Sequence, residues 1–173
     1  MSAKANLFKV AKNVYFEKKT PVSLIHFLTN RCNARCSFCF IDFDNPKTFE
    51  GELTLEEIDK MTKTFGNTLM NINFTGGEPF ARKDIVDIAK LYIKNTSIRS
   101  MYVTTNGSLP DRVINFAKVV SELDPELELC FQISIDHLPD EHNKIRKVNN
   151  LFENCILTYN SLKKLNKSNI NPV

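Results

Sequence analysis

Ser100-Met101-Tyr102-Val103-Thr104 and Leu129-Cys130-Phe131-Gln132-Ile133-Ser134-Ile135 bracket the stretch on which the fold turns. Both runs read as strands. Between them Ser108 is placed to cap a helix with Pro110 in its first turn, and Val113, Phe116, Ala117 and Val120 form its apolar stripe. The strand centres lie about 30 residues apart, the length of one parallel strand–helix–strand crossover.

The unit repeats upstream. Met70-Asn71-Ile72-Asn73-Phe74-Thr75 is a strand that ends at Gly76-Gly77, and residues 84–95 return to helical spacing with Asp84 as N-cap. Val22-Ser23-Leu24-Ile25-His26-Phe27-Leu28 is a further strand, and Thr54 with Glu57 forms a capping box for a helix running to Phe65. Downstream, Asn150 with Glu153 starts a last helix that turns Phe152, Cys155, Ile156, Tyr159 and Leu162 inward. Asn169–Val173 reads as the approach to a fifth strand that is not reached. Strands alternating with amphipathic helices imply an α/β fold with a parallel sheet and right-handed connections. Residues 1–20 form an N-terminal extension or edge hairpin, and residues 21–173 the core domain.

Composition narrows the function classes. With 42% apolar and 25% charged residues, 173 residues can bury one core. A net charge of +3 announces neither nucleic acid nor an anionic membrane. No apolar run approaches the roughly 18 residues of a membrane span, and Met1–Asn6 lacks the apolar core of a signal peptide. The expectation is a cytoplasmic protein whose cysteines are thiols or metal ligands.

Three of the five cysteines fall in Cys32-Asn33-Ala34-Arg35-Cys36-Ser37-Phe38-Cys39, directly after the first strand. The carboxyl end of a parallel strand is where α/β folds place their chemistry. Three readings stand. A structural zinc site needs a fourth ligand, drawn from His26, Cys130, Cys155 or an acid. Cys130 precedes Asp136 by six residues, roughly 20 Å along a strand, and Cys155 sits on an apolar helix stripe. An iron–sulfur electron carrier also wants four cysteines, whereas a [4Fe–4S] cluster on three leaves one iron open.

The next strand ends in Gly76-Gly77-Glu78-Pro79. Two glycines permit close backbone approach to a ligand, Glu78 adds an acceptor and Pro79 fixes the exit. Parity on the fourth strand puts Gln132, Ser134 and Asp136 on one face and Phe131, Ile133 and Ile135 on the other. The polar face, repeated by Asn71, Asn73 and Thr75, should look into a ligand cavity.

With these segments together, residues 20–165 resemble the radical S-adenosylmethionine (SAM) superfamily. The resemblance rests on Thr29–Cys39, Phe74–Pro79, Thr104-Thr105-Asn106-Gly107 and Ile133-Ser134-Ile135-Asp136, and leans toward the molybdenum-cofactor cyclase and peptide-maturase branch. It implies a partial (β/α) TIM-like barrel and an enzyme in which Cys32, Cys36 and Cys39 bind a [4Fe–4S] cluster. The open iron would take SAM, reductive cleavage of which yields methionine and a 5′-deoxyadenosyl radical that abstracts hydrogen from a substrate. It further implies that Phe38 packs near the adenine and that Gly76, Gly77, Glu78 and Pro79 hold the methionine amino group. Ser134 and Asp136 would meet the ribose or carboxylate, with Thr105, Asn106 and Arg146 as further cofactor contacts. A reductant such as flavodoxin or ferredoxin is implied as a partner.

Departures from the family pattern are equally legible. The family core has six strand–helix units and about four are read here, so strands five and six and the accessory cluster domain are expected to be missing. Open sheet edges predict self-association. The alternative to an enzyme is a non-catalytic iron–sulfur or zinc-binding scaffold. The residues that would touch a substrate are expected to lie mostly in the missing half, so the substrate is not read. Among weaker signals, Asn106-Gly107 reads as a turn, His137 and His142 as loop residues, His26 as a core histidine, and Asp42 with Asp44 as a solvated loop. Lys60, Lys63, Lys90 and Lys94 lie on polar helix faces.

Overall fold

The computed structural model describes residues 7–173. Five parallel strands form one sheet in sequential order: β1 (Ser23–Thr29), β2 (Asn71–Gly76), β3 (Ser100–Thr105), β4 (Glu128–Ile133) and β5 (Ile170–Pro172). The helices are α1 (Leu7–Lys12), α2 (Leu55–Phe65), α3 (Ile85–Asn95), α4 (Pro110–Leu123), α5 (Pro139–Arg146) and α6 (Leu151–Lys164). Among the described residues no helix is long and apolar enough to cross a membrane.

The expected parallel α/β architecture is present, with two changes at its ends. A fifth strand does form, as a three-residue stub whose Ile170, Asn171 and Pro172 pair with Leu129, Cys130 and Phe131. At the other end, residues 7–17 are helical, α1 running into a π-helical turn (Asn13–Glu17), so the edge hairpin is not formed there. The rest of that expectation lies outside the described residues. The buried Asn13 side chain fixes the turn's exit: its Oδ1 accepts from Lys19 N and Thr20 N, and its Nδ2 donates to Thr20 O.

Alternation in the strands sorts the two faces of the sheet. Ile72, Phe74, Met101, Val103, Leu129 and Phe131 are fully buried beneath the helices, where Ile88, Tyr92, Phe116 and Leu162 meet them in one core. Aromatic edges knit this layer, with Phe116 at 5.6 Å from Phe80 and 6.2 Å from Phe131 between ring centroids. The opposite face is polar at its centre. Ser100 Oγ donates to Asn71 Oδ1 (2.6 Å) and Thr104 Oγ1 to Gln132 Oε1 (2.9 Å), while Ile25 and Phe27 stay exposed on β1.

Several ends differ from expectation. The Thr54–Glu57 capping box forms, but Asp84 pairs with Arg82 instead of capping α3, and α4 begins at Pro110 without a Ser108 cap. Asn150 sits at φ +55°. Its capping role passes to Asn143 on α5, whose Oδ1 accepts from Phe152 N at 2.8 Å. Ile156 is exposed rather than inward. β4 ends at Ile133, so Ile135 and Asp136 lie in the following loop, with Ile135 exposed.

The carboxyl ends of β1 and β2 touch through backbone. Gly77 N donates to Thr29 O (2.7 Å) and Glu78 N to Arg31 O (2.9 Å). A Cβ on Gly76, whose φ is +133°, would lie 2.2 Å from Thr29 O, and one on Gly77 would lie 2.3 Å from Arg31 O. Both glycines are thus required by the segment entering the cysteine loop.

Two outcomes follow. Gly77→Ala forces these strand ends apart and costs about 1–3 kcal/mol, read as a lower urea midpoint. His26, whose Nδ1 lies 2.9 Å from Tyr92 OH, is held by burial and by the nearby Arg82 at a pKa of about 4. The unfolded state therefore binds more protons between about pH 4 and the ordinary histidine range, and stability rises with pH across that window. In His26→Gln the slope of the urea midpoint against pH over this window flattens, and an unchanged slope assigns it elsewhere.

Candidate functional site

Cys32, Cys36 and Cys39 line a single cavity of about 200 Å³ at the carboxyl ends of the strands. Its other walls are Phe38, Phe40 and Ile41 from the same loop, Thr75-Gly76-Gly77, Thr104-Thr105-Asn106, Ser134 and Arg146. The three cysteines are half-buried and free.

The loop is held by its own residues, through Cys39 N to Cys36 O and Arg35 Nη1 to Cys32 O, and by its neighbours. Arg35 N donates to Arg146 O (3.1 Å) and Ser37 N to Ile145 O (3.0 Å), so the carbonyls at the end of α5 dock it. On its other side Asn33 Nδ2 donates to Ser108 Oγ (2.8 Å) and accepts at Oδ1 from Asn106 Nδ2 (2.9 Å). Two N–H groups reach the Cys32 sulfur, from Ala34 (3.4 Å) and Asn106 (3.8 Å). Burial pushes the Cys32 and Cys36 thiols up, and for Cys36 the Arg146 guanidinium opposes this. Such thiols keep their protons until a bound cation displaces them.

Arg146 is a buried wall of the cavity, not a surface charge. Its Nε and Nη2 donate to Asp136 Oδ2 (2.6 Å) and Oδ1 (3.0 Å), and its Cζ stands 5.8 Å from the Phe38 ring centre. Burial works against the charged guanidinium, but the Asp136 carboxylate outweighs it and holds Arg146 above its ordinary value. The same hydrogen bond holds Asp136 below the usual carboxylate range. Fork-to-fork pairing of this kind fixes orientation as well as charge.

His142 is corrected from a loop residue to a fully buried one on α5. Its Nδ1 accepts from Asp136 N (3.3 Å), and its Nε2 lies 4.0 Å from Cys155 Sγ. Burial first, then Arg146, hold its pKa down, which suits the neutral imidazole that this acceptor role needs. His137 is exposed, as expected of a loop. Cys155 is buried with its thiol pushed up to about 11 by burial.

The remaining expectations divide. Phe38, Gly76, Gly77, Thr105, Asn106, Ser134 and Arg146 meet at the cavity. Glu78, Pro79 and Asp136 do not line it. The Glu78 carboxylate is fully buried and spent on the protein: Oε1 accepts from Phe80 N (3.1 Å) and Thr105 Oγ1 (2.8 Å), and Oε2 from Asn106 N (2.7 Å). Burial raises its pKa and the three donors oppose that. Asn106-Gly107 is therefore more than a turn, because it ties β3 to both the Gly76–Pro79 segment and the cysteine loop. Unread in the sequence were the docking carbonyls of α5, Asn33, His142 and the walls Phe40-Ile41. The apolar pair right after the last cysteine was the one available signal.

The cavity suits a soft-metal group. Its walls include Cys32, Cys36 and Cys39 and no fourth Cys, His, Asp or Glu. Among the described residues no three such side chains are drawn together as a single-ion site. Iron–sulfur clusters are held by cysteine thiolates spread around a larger body.

Comparison with known proteins bears on the family and the fold. Residues 27–173 match the family model for the radical SAM superfamily. GTP 3′,8-cyclase of Cronobacter sakazakii is 42% identical over 83 residues, covering 46% of this chain and 25% of that protein. Among solved structures, native anSMEcpe with bound AdoMet superposes with a TM-score of 0.64 at 24% identity, over 88% of this chain and 42% of its own. Methylornithine synthase (PylB) does so with 0.62 at 15%, over 95% and 49%. Streptococcus suis SuiB bound to S-adenosylmethionine gives 0.62 at 16%, over 96% and 36%. The structural likenesses speak to the fold, a partial barrel, and the chain spans about a quarter of the cyclase and under half of each solved chain. With its family model covering most of the sequence, the chain belongs to the radical SAM superfamily.

Proposed function

We propose that this chain is the core, or the N-terminal portion of the core, of a radical SAM enzyme that holds a [4Fe–4S] cluster on Cys32, Cys36 and Cys39. The observation that carries the reading is the cavity itself, whose lining combines Cys32, Cys36 and Cys39 with Gly76-Gly77 and includes no fourth Cys, His, Asp or Glu. When bound, such a cluster supplies one electron to the SAM sulfonium, giving methionine and a 5′-deoxyadenosyl radical that takes hydrogen from a substrate.

The chain's own residues then bind and aim. Backbone at Gly76-Gly77 meets the methionine amino end, and Arg146, oriented by Asp136, meets its carboxylate. Ser134 offers a hydroxyl along the cavity and Phe38 a ring face to the adenine, while the Thr105 hydroxyl is spent on Glu78 and acts through it. Glu78 and Pro79 act through the position of their neighbours. Electrons come from a small donor of the flavodoxin or ferredoxin kind, in a reducing compartment, the cytoplasm. The exposed β1 face and the open sheet edges support self-association.

Anaerobic reconstitution with iron and sulfide tests the reading. About four irons and four sulfides per chain, with 5′-deoxyadenosine formed under dithionite, are expected, and Cys36→Ala reduces both to background. One zinc and no sulfide overturns the cluster. A cluster that leaves SAM intact favours a non-catalytic scaffold. Arg146→Lys loses the forked pairing and weakens SAM binding about tenfold, near 1.4 kcal/mol, while iron content holds. Equal affinity in the two proteins removes Arg146 from the site.

A further inference from the structure

Asn106 is the point at which the site's buried polar groups converge. Its backbone N–H is taken by Glu78 Oε2 (2.7 Å), and its carbonyl oxygen accepts from Cys155 Sγ (3.1 Å). Its side-chain Oδ1 accepts from Ser108 N at 2.9 Å. That last contact settles which end of the amide is which, because a backbone N–H can only donate. Nδ2 must therefore face the cysteine loop, where it reaches Asn33 Oδ1 at 2.9 Å and Cys32 Sγ at 3.8 Å. Among the described residues it is the side-chain N–H that reaches a sulfur of this loop.

We propose that Asn106 is a positioning residue that sets the electron affinity of the bound cluster, by aiming its amide N–H at the Cys32 sulfur. The inference rests on the cluster reading above. An N–H dipole directed at a ligand sulfur stabilises the more negative, reduced form, so it raises the reduction potential. The residue is held before any cluster binds: the Glu78 carboxylate and the Cys155 thiol fix its backbone, and Ser108 N and Asn33 Oδ1 fix its side-chain amide. Preorganised dipoles act without reorienting when the charge arrives. Glu78 then has a stated task although it lines no part of the cavity: it holds the residue that faces Cys32.

The test is an anaerobic redox titration of the reconstituted full chain, followed by electron paramagnetic resonance. Asn106→Asp keeps the acceptor for Ser108 N and removes the donor. Its potential should fall by the equivalent of about a tenfold change in the one-electron equilibrium, near 59 mV. Asn106→Ala should fall in the same direction without the added charge. Potentials of Asn106→Asp and Asn106→Ala equal to the parent overturn the proposal. A second measurement needs no variant. In parent protein labelled with ¹⁵N-asparagine, pulsed resonance on the reduced cluster should record a weak ¹⁵N coupling, and its absence overturns the proposal. A parent chain that takes up no four-iron cluster overturns the cluster reading and this inference together. A cluster with unmoved potential overturns only the role of Asn106.

Discussion

The buried carboxylate of Glu78 is the constraint on which the site depends. Three donors from two segments close on it: Phe80 N from its own turn, and Thr105 Oγ1 and Asn106 N from the end of β3. Desolvating a carboxylate is costly unless its oxygens are satisfied, and here each is. Removing the carboxylate would leave the donors unpaired in the interior, each at about 1–3 kcal/mol. Beside this bridge, the glycine pair lets the entry to the cysteine loop press on the same segment. One short turn therefore fixes both the strand that leads into the cysteines and the strand whose end faces them.

From that turn outward, two further contacts complete the loop's position. The last carbonyls of α5 accept from Arg35 and Ser37, and Asn33 is held between Asn106 and Ser108. The cysteine loop is thus suspended between the ends of β2, β3 and α5, with its three cysteines lining one cavity. α5 also carries His142 and Arg146, which grip the Asp136 backbone and side chain respectively. On the polar face of the sheet, Thr104 lines the cavity and donates to Gln132. The same parity that buries Phe131 under the helices turns Gln132 out toward this side.

Much of this was legible in the sequence because it is local. Strand alternation and helix stripes place Phe74, Val103, Phe116 and Phe131 inside without knowledge of topology, and all four are fully buried. The cysteine spacing and the two glycines announced a site. What the sequence could not carry was contact between distant segments. Glu78 reads as a ligand because an acid beside two glycines suits one, yet Thr105 and Asn106, 27 and 28 residues away, already occupy it. His142 reads as loop because nothing near it in the chain reveals that Asp136 and Cys155 enclose it. Asn150 reads as a cap by type, but Asn143 supplies the acceptor from the preceding helix. The fifth strand reads only as an approach because three residues are too short for periodicity, and pairing with β4 defines them.

The central claim is that three thiols, held by this turn and by α5, leave one metal position of the bound group free for SAM. Mössbauer spectra of ⁵⁷Fe-reconstituted protein, with and without SAM, test it most directly. The account predicts that one iron in four differs from the rest and that its signal shifts when SAM is added. Four irons that give the same spectrum with and without SAM would contradict it.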